Sequence, residues 1–216
     1  MAVAIEGTPV DIDYTTSSGT DTYTAESGSD RVVVLTMKNQ DFFERTFAPT
    51  MGAVSFVEGD FINGEDENLV GIWYILEANI PGGAQIIDYG ESGSFDEGFS
   101  TLYTLSGVDQ GTPGVFTNVE GATTTPIVSL TGVTDGLALA VGGIDVNGTT
   151  TPDSNWTLHR GIARGEFEHK VTSSGADTWE PTSSSSRDWG CVVGVFNAAA
   201  GGGGSGGIMR RRRELT

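Results

Sequence analysis

The chain has 216 residues, 32 of them Gly, with 19% charged residues and a formal net charge of −18. That length suits one large all-β domain or two small ones, and Gly together with abundant Ser and Thr fits many turns joining short strands. Between Thr46 and His159 there is not one Lys or Arg, so the body repels nucleic acid and anionic membrane, and neither is an expected partner.

The single cysteine, Cys191, leaves no intrachain disulfide. The opening MAVAIEGTPV has neither the charged start nor the long apolar core of a secretion signal. No apolar run approaches the ~18 residues that cross a membrane.

Residues 1–30 are rich in Thr, Ser, Asp and Gly and read as an N-terminal arm or a first edge strand, the arm being able to reach a neighbouring subunit. Residues 31–37, RVVVLTM, form a β-branched strand. Residues 38–49 carry Phe42, Phe43 and Phe47 and read as a short helical turn or an aromatic-pinned loop. AVSFV at 53–57 alternates as a strand does, and Asn63-Gly64 signals a turn before three acids. The ten residues 69–78, LVGIWYILEA, are the most apolar segment; aromatic and β-branched enrichment ahead of Pro81-Gly82-Gly83 favours a strand over a helix.

QIIDY at 85–89 is the next strand, and residues 91–98 read as an acidic loop. Residues 101–105 alternate, turn through Ser106-Gly107 and stop at Pro113; this stretch reads as the central strand and turn of the domain. Residues 111–125 are polar, with Pro113 and Pro126 as breakers. Short strands follow at 127–130 and at 136–145, where Gly142-Gly143 suggests a bulge or a close backbone approach. Residues 146–153 read as a long turn, 156–165 is ambiguous, 167–172 alternates, and 173–188 reads as a Ser-rich loop holding Trp179. WGCVVGVFN at 189–197 closes the domain.

Strands with turn signals every 8–12 residues mark a sandwich or barrel, and with no repeat of 20–50 residues they predict one all-β domain over residues 31–198, read here as an antiparallel β-sandwich. A Gly-rich linker at 199–207 and a flexible basic tail at 208–216 complete the expected organisation.

The order of VVVLT, AVSFVEG, GIWYILEANIPGGAQIIDYG, SGVDQGTP, VSLTGVTDGLALAVGGIDVNG and RDWGCVVGVFNA resembles a family of jelly-roll-like β-sandwich domains found in tailed-phage structural proteins and some bacterial surface proteins. The likeness covers about residues 31–198; SGVDQ-x-TP and the tryptophan-led last strand are its most specific parts, and the turn at 38–51 is longer here than in the family. The resemblance implies the sandwich fold and a virion context. It carries no catalytic residue.

Nucleophilic catalysis needs a base beside Ser, Thr or Cys. Only His159 and His169 are available, neither in a nucleophile motif, and Cys191 sits in an apolar strand as a small hydrophobe. Glu58/Asp60, Glu65/Asp66/Glu67 and Asp96/Glu97 offer carboxylate pairs that 29 acids explain by chance. Calcium could use Glu65-Asp66-Glu67 or the Asp88…Asp96 region, although the spacing is not that of an EF-hand, and no metal ligand set is assigned. Trp73 and Trp189 read as core; Trp179, between Asp177 and Glu180, is the candidate for stacking on a glycan.

The sharpest local feature is the run Arg210, Arg211, Arg212 and Arg213, which suits docking on an acidic protein surface. The expectation is therefore a non-enzymatic, oligomeric virion component, a decoration, head-fibre or tail-associated protein. It would be made in the host cytoplasm, released by lysis, and partnered by capsid or tail subunits without a cofactor. The alternative is a glycan-binding module for host adsorption through the loops near residues 177–187.

Overall fold

A computed structural model describes residues 1–16, 21–40, 46–63, 69–90, 94–144, 149–162, 165–184 and 188–200. The first half of the chain forms β1 (Ala4–Thr16), β2 (Thr22–Tyr23), β3 (Val32–Gln40), β4 (Thr50–Met51), β5 (Val54–Ser55), β6 (Val57–Asn63), β7 (Leu69–Leu76), β8 (Gln85–Asp88) and β9 (Ser94–Ser106). One 3-10 turn, Glu77–Asn79, follows β7. The second half forms β10 (Gly114–Gly121), β11 (Val128–Gly132), β12 (Leu137–Ile144), β13 (Thr150–Thr151), β14 (Thr157–Ile162), β15 (Gly165–Val171), β16 (Gly175–Trp179), β17 (Thr182–Ser183) and β18 (Trp189–Phe196).

Two five-stranded antiparallel sheets face each other, so the chain is an all-β, jelly-roll-like sandwich. Sheet 1 has the order β1-β9-β3-β7-β6 and sheet 2 the order β10-β18-β12-β15-β14. Each sheet is drawn from one half of the chain. Alternation along the strands sorts the apolar residues: Val32, Val34, Val70, Ile72, Tyr103 and Leu105 from sheet 1 meet Leu137, Leu139, Val141, Phe167, Val192 and Phe196 from sheet 2 in the core between the sheets. Full burial of each such side chain stabilises the fold by roughly 1.5–3 kcal/mol.

The opposite faces are covered too, which explains why β3, β7, β12 and β18 read as continuous apolar runs rather than clean alternation. The short strands β2, β8, β4 and β5 form a layer over sheet 1, where Tyr23, Met51, Ile87 and Tyr89 pack on Val33, Leu35, Met37, Trp73 and Leu102. Over sheet 2 lies the β11–β16 pair, where Val128, Leu130 and Trp179 pack on Ala138, Ala140, Cys191, Val193 and Val195.

Several expectations are corrected. Of the two readings of residues 1–30, arm or first edge strand, the edge strand is the one observed: β1 pairs along β9 at the edge of sheet 1, and what changes is the start of the sandwich, which lies before residue 31. β9 is an interior strand, but β3 occupies the centre of its sheet. Residues 94–98, expected as loop, begin β9, and the polar stretch 111–125 contains the edge strand β10. β3 extends to Gln40, into the stretch expected as a turn. The Ser-rich stretch 173–188 contains β16 and β17. Gly142-Gly143 makes no bulge; β12 keeps its register with β15 and β18 through both glycines.

Candidate functional site

A set of hydrogen bonds between residues distant in sequence gathers at the pole built around SGVDQGTP. β9 ends at Ser106, and Gly107 turns with φ +69, where a Cβ would lie 2.7 Å from the Ala2 carbonyl oxygen. Only glycine fits that turn and that approach. Val108 then enters the inter-sheet core with no exposure. Its amide donates to the Asp30 carbonyl (2.9 Å), the Gly107 amide to Ser29 (3.0 Å), and the Asp109 amide to Asn197 (2.9 Å).

Gln110 locks the start of β3. Its Nε2 donates to the carbonyls of Arg31 and Val108 (3.1 Å each), and its Oε1 accepts the Glu77 amide (3.0 Å). Glu77 in turn accepts the Arg31 amide (2.9 Å) and its Nε (3.1 Å). The amide bond from Arg31, aided by the guanidinium, holds the Glu77 carboxyl below its ordinary range. Asp109 accepts the amides of Gly111 (2.8 Å) and Thr112 (3.3 Å), which lower its carboxyl as well. The motif is thus a clasp joining the ends of β9 and β18 to the start of β3.

The clasp is also where the chain enters and leaves the sandwich. The Ala199 amide donates to the Gly107 carbonyl (2.7 Å), and the Met1 amino group donates to the Ala199 carbonyl (3.4 Å). The four arginines 210–213 and the linker from residue 201 lie outside the described residues.

The rims of the sandwich are tied across the two sheets. On one, His159 Nε2 lies 3.0 Å from Asp11 Oδ1, and Arg160 donates to the carbonyls of Ile12 (3.3 Å) and Ser100 (3.1 Å) and to the Asp13 carboxylate. On the other, Asn118 Nδ2 of β10 donates to Asp60 Oδ1 of β6 (2.7 Å). Asp60 therefore acts as a rim bridge. Glu65, Asp66 and Glu67 lie outside the described residues, as do the side chains of Asp96 and Glu97.

The glycan-stacking expectation for Trp179 is corrected. Its exposure is 0%: β16 turns the indole onto sheet 2, where the missing side chain of Gly142 admits the ring. Arg187, the far end of the proposed contact loop, lies outside the described residues. Trp73 and Trp189 are core residues, as read. Cys191 is buried, and burial pushes its thiol up, so it stays protonated and unreactive.

Sequence reasoning missed a pair of buried acids on β15. Glu166 and Glu168 are 2% and 0% exposed, beside Asp153 at 6%. Strand alternation was the available signal: it places both opposite Phe167, and their depth follows only from the layer above them. Among the described residues no group of three or more His, Cys, Asp or Glu is arranged to hold a metal ion, and no helix is long and apolar enough to cross a membrane.

No family model, curated protein or solved structure matches this chain.

Proposed function

We propose that this protein is a non-enzymatic structural component of a tailed-phage virion, held to the particle through one pole of the sandwich and presenting its acidic exterior outward. The observation that carries this reading is that the chain leaves the sandwich at the SGVDQGTP clasp, where Ala199 lies against Gly107 and Met1. Attachment through the segment that follows Ala199 would turn this pole of the sandwich toward the particle. The tail arginines 210–213, beyond a Gly-rich linker, supply the charge that the body lacks. Arg31, Arg160 and Lys170 are each already engaged by a carboxylate, so the exterior is left strongly acidic. A basic tail and an acidic body complement each other between copies, or between this protein and a capsid or tail subunit, and repeated copies would multiply a weak grip. The order of sequence motifs supports the virion context and the place of the protein as a decoration, head-fibre or tail-associated component.

The test is deletion of residues 205–216. The expected result is a domain with an unchanged melting temperature that no longer co-purifies with particles. Full occupancy on particles after that deletion would overturn anchoring by the tail. Antibody labelling of intact particles would separate head from tail, and absence of label from every particle would sink the virion reading.

A further inference from the structure

Glu166 and Glu168 project from the same face of β15, the outer face of sheet 2, while Phe167 between them enters the inter-sheet core. In register beside them, β12 offers only Gly142 and Ala140, and β18 places Cys191 opposite Gly142. Above them lie Trp179 of β16, Thr150 of β13 and Asp153 of the connection into β14. The Asp153 amide donates to Glu168 Oε1 (3.3 Å). Asp153 itself adds negative charge, its carboxylate accepting the amides of Asn155 and Glu180 (2.8 Å each). The cation on this row, Lys170, is engaged by Asp177 at 2.9 Å. From β14, Leu158 pairs with Glu168 and Gly161 with Glu166, and neither carries charge.

Both oxygens of Glu166 and Oε2 of Glu168 are buried short of a well-formed hydrogen bond. A narrow crevice of about 10 Å³, room for about one water molecule, reaches Glu166 between Thr150, Trp179, Pro181 and Thr182. Two carboxylates cannot both stay ionised there. Each loses hydration, each repels the other, and the Asp153 carboxylate repels Glu166.

We propose that Glu166 and Glu168 hold one proton between them at neutral pH, and that this proton latches the outer layer of β11, β16, β13 and β17 onto sheet 2. Burial, reinforced by Glu166, pushes Glu168 up to about 8, and burial raises Glu166 as well. The folded state therefore binds the proton more tightly than the unfolded chain does. Its contribution is whole below the ordinary glutamate value of about 4.3 and is lost as pH rises through about 8. Ionised, the pair draws water into the crevice and the layer above it lifts. Cys191 does not ionise in this window, because burial pushes its thiol up. The latch is independent of the virion reading.

The test uses the full chain in a His159→Gln, His169→Gln background, which removes the imidazole–carboxylate contact at the rim and the half-buried β15 imidazole, whose pKa burial lowers and whose slope would have the opposite sign. Three quantities are followed from pH 5 to pH 9: the melting temperature, amide exchange strand by strand, and the infrared band of a protonated carboxyl. The expected result is a fall of about 5–10 °C in Tm across the range. Exchange in β16 and β17 should accelerate before that in β12 and β18, and the carboxyl band present at pH 7 should disappear by pH 9. Glu168→Gln should abolish the band and most of the slope. Glu166→Gln gives the same reading should the first variant not fold. Absence of the band at pH 7, an unchanged slope in the variant that folds, or uniform exchange across all strands would each overturn the latch.

Discussion

Arg160 of β14 closes its guanidinium on the Asp13 carboxylate of β1, joining the edge strand of one sheet to the edge strand of the other. The same guanidinium lies 5.2 Å from the centre of the Phe99 ring and 5.8 Å from that of Phe167, so it also packs over aromatic faces. Arg160→Ala should cost about 2–3 kcal/mol in guanidinium denaturation at pH 7, through lost charge-assisted bonds and lost packing together. Arg160→Lys should recover less than half of that, because an ammonium cannot reach Asp13 and two carbonyls from one planar fork. Full recovery by lysine would show that charge alone matters.

Gln110 makes three bonds inside the clasp, and a shorter side chain leaves three backbone groups without their partner. Gln110→Ala should cost about 2 kcal/mol. Gln110→Glu should cost at least as much, since its carboxylate would face the two carbonyl oxygens that Nε2 now serves. Amide exchange at Gly107 and Val108 should rise in both variants; protection equal to wild type would show that the clasp does not depend on Gln110.

The acid limb of stability has the opposite sign to the β15 latch. The Arg31 amide lowers Glu77, and the Gly111 and Thr112 amides lower Asp109. Asp177 is lowered on balance: burial works against it, but Lys170 and the Thr178 amide outweigh that. Each carboxyl binds its proton less tightly folded than unfolded, so stability present above the ordinary carboxylate range is lost as pH falls through and below it. Melting curves from pH 6 to pH 2 should show that loss, with a shallower fall for Glu77→Gln. A fall as steep in the variant would rule out Glu77 as a contributor.

Trp179 fills the space above Gly142, whose added Cβ would lie 2.5 Å from the ring. Trp179→Ala should cost about 3–5 kcal/mol and loosen β11 and β16 first. Gly142→Ala should cost about 1–3 kcal/mol by displacing the indole, with a red shift of tryptophan fluorescence. An unshifted spectrum would mean that the strand, rather than the ring, gives way.

What was legible in the sequence follows which residues are buried. Residues 31–37, 69–78, 136–145 and 189–197 announce themselves because the strands they contain have apolar neighbours on both faces. β10 and β16 do not. β10 is an edge strand with no residue fully buried, and β16 is a covering strand whose one buried residue is Trp179. Asp177 suggested solvent around that tryptophan. In the fold it lies two residues away on the same strand and bonds Lys170 instead. Glu166 and Glu168 were hidden for a related reason: an alternating Glu-x-Glu normally marks a wet face, and only a second layer of chain makes it dry. The clasp was partly legible, since Ser106-Gly107 and Pro113 mark its turn, but the bonds that give Gln110 its place reach across the sequence to Arg31 and Glu77.

The contact between Met1 and Ala199 makes the sandwich, topologically, a ring cut at the clasp. With residues 201–216 removed, a short peptide joining Met1 to the end of the sandwich would seal it, and new ends could be opened at Gly82-Gly83, where an added Cβ meets nothing within 4 Å. Such a permuted protein would keep every strand pairing, and any tether attached to its new ends would start from a different point on the same domain.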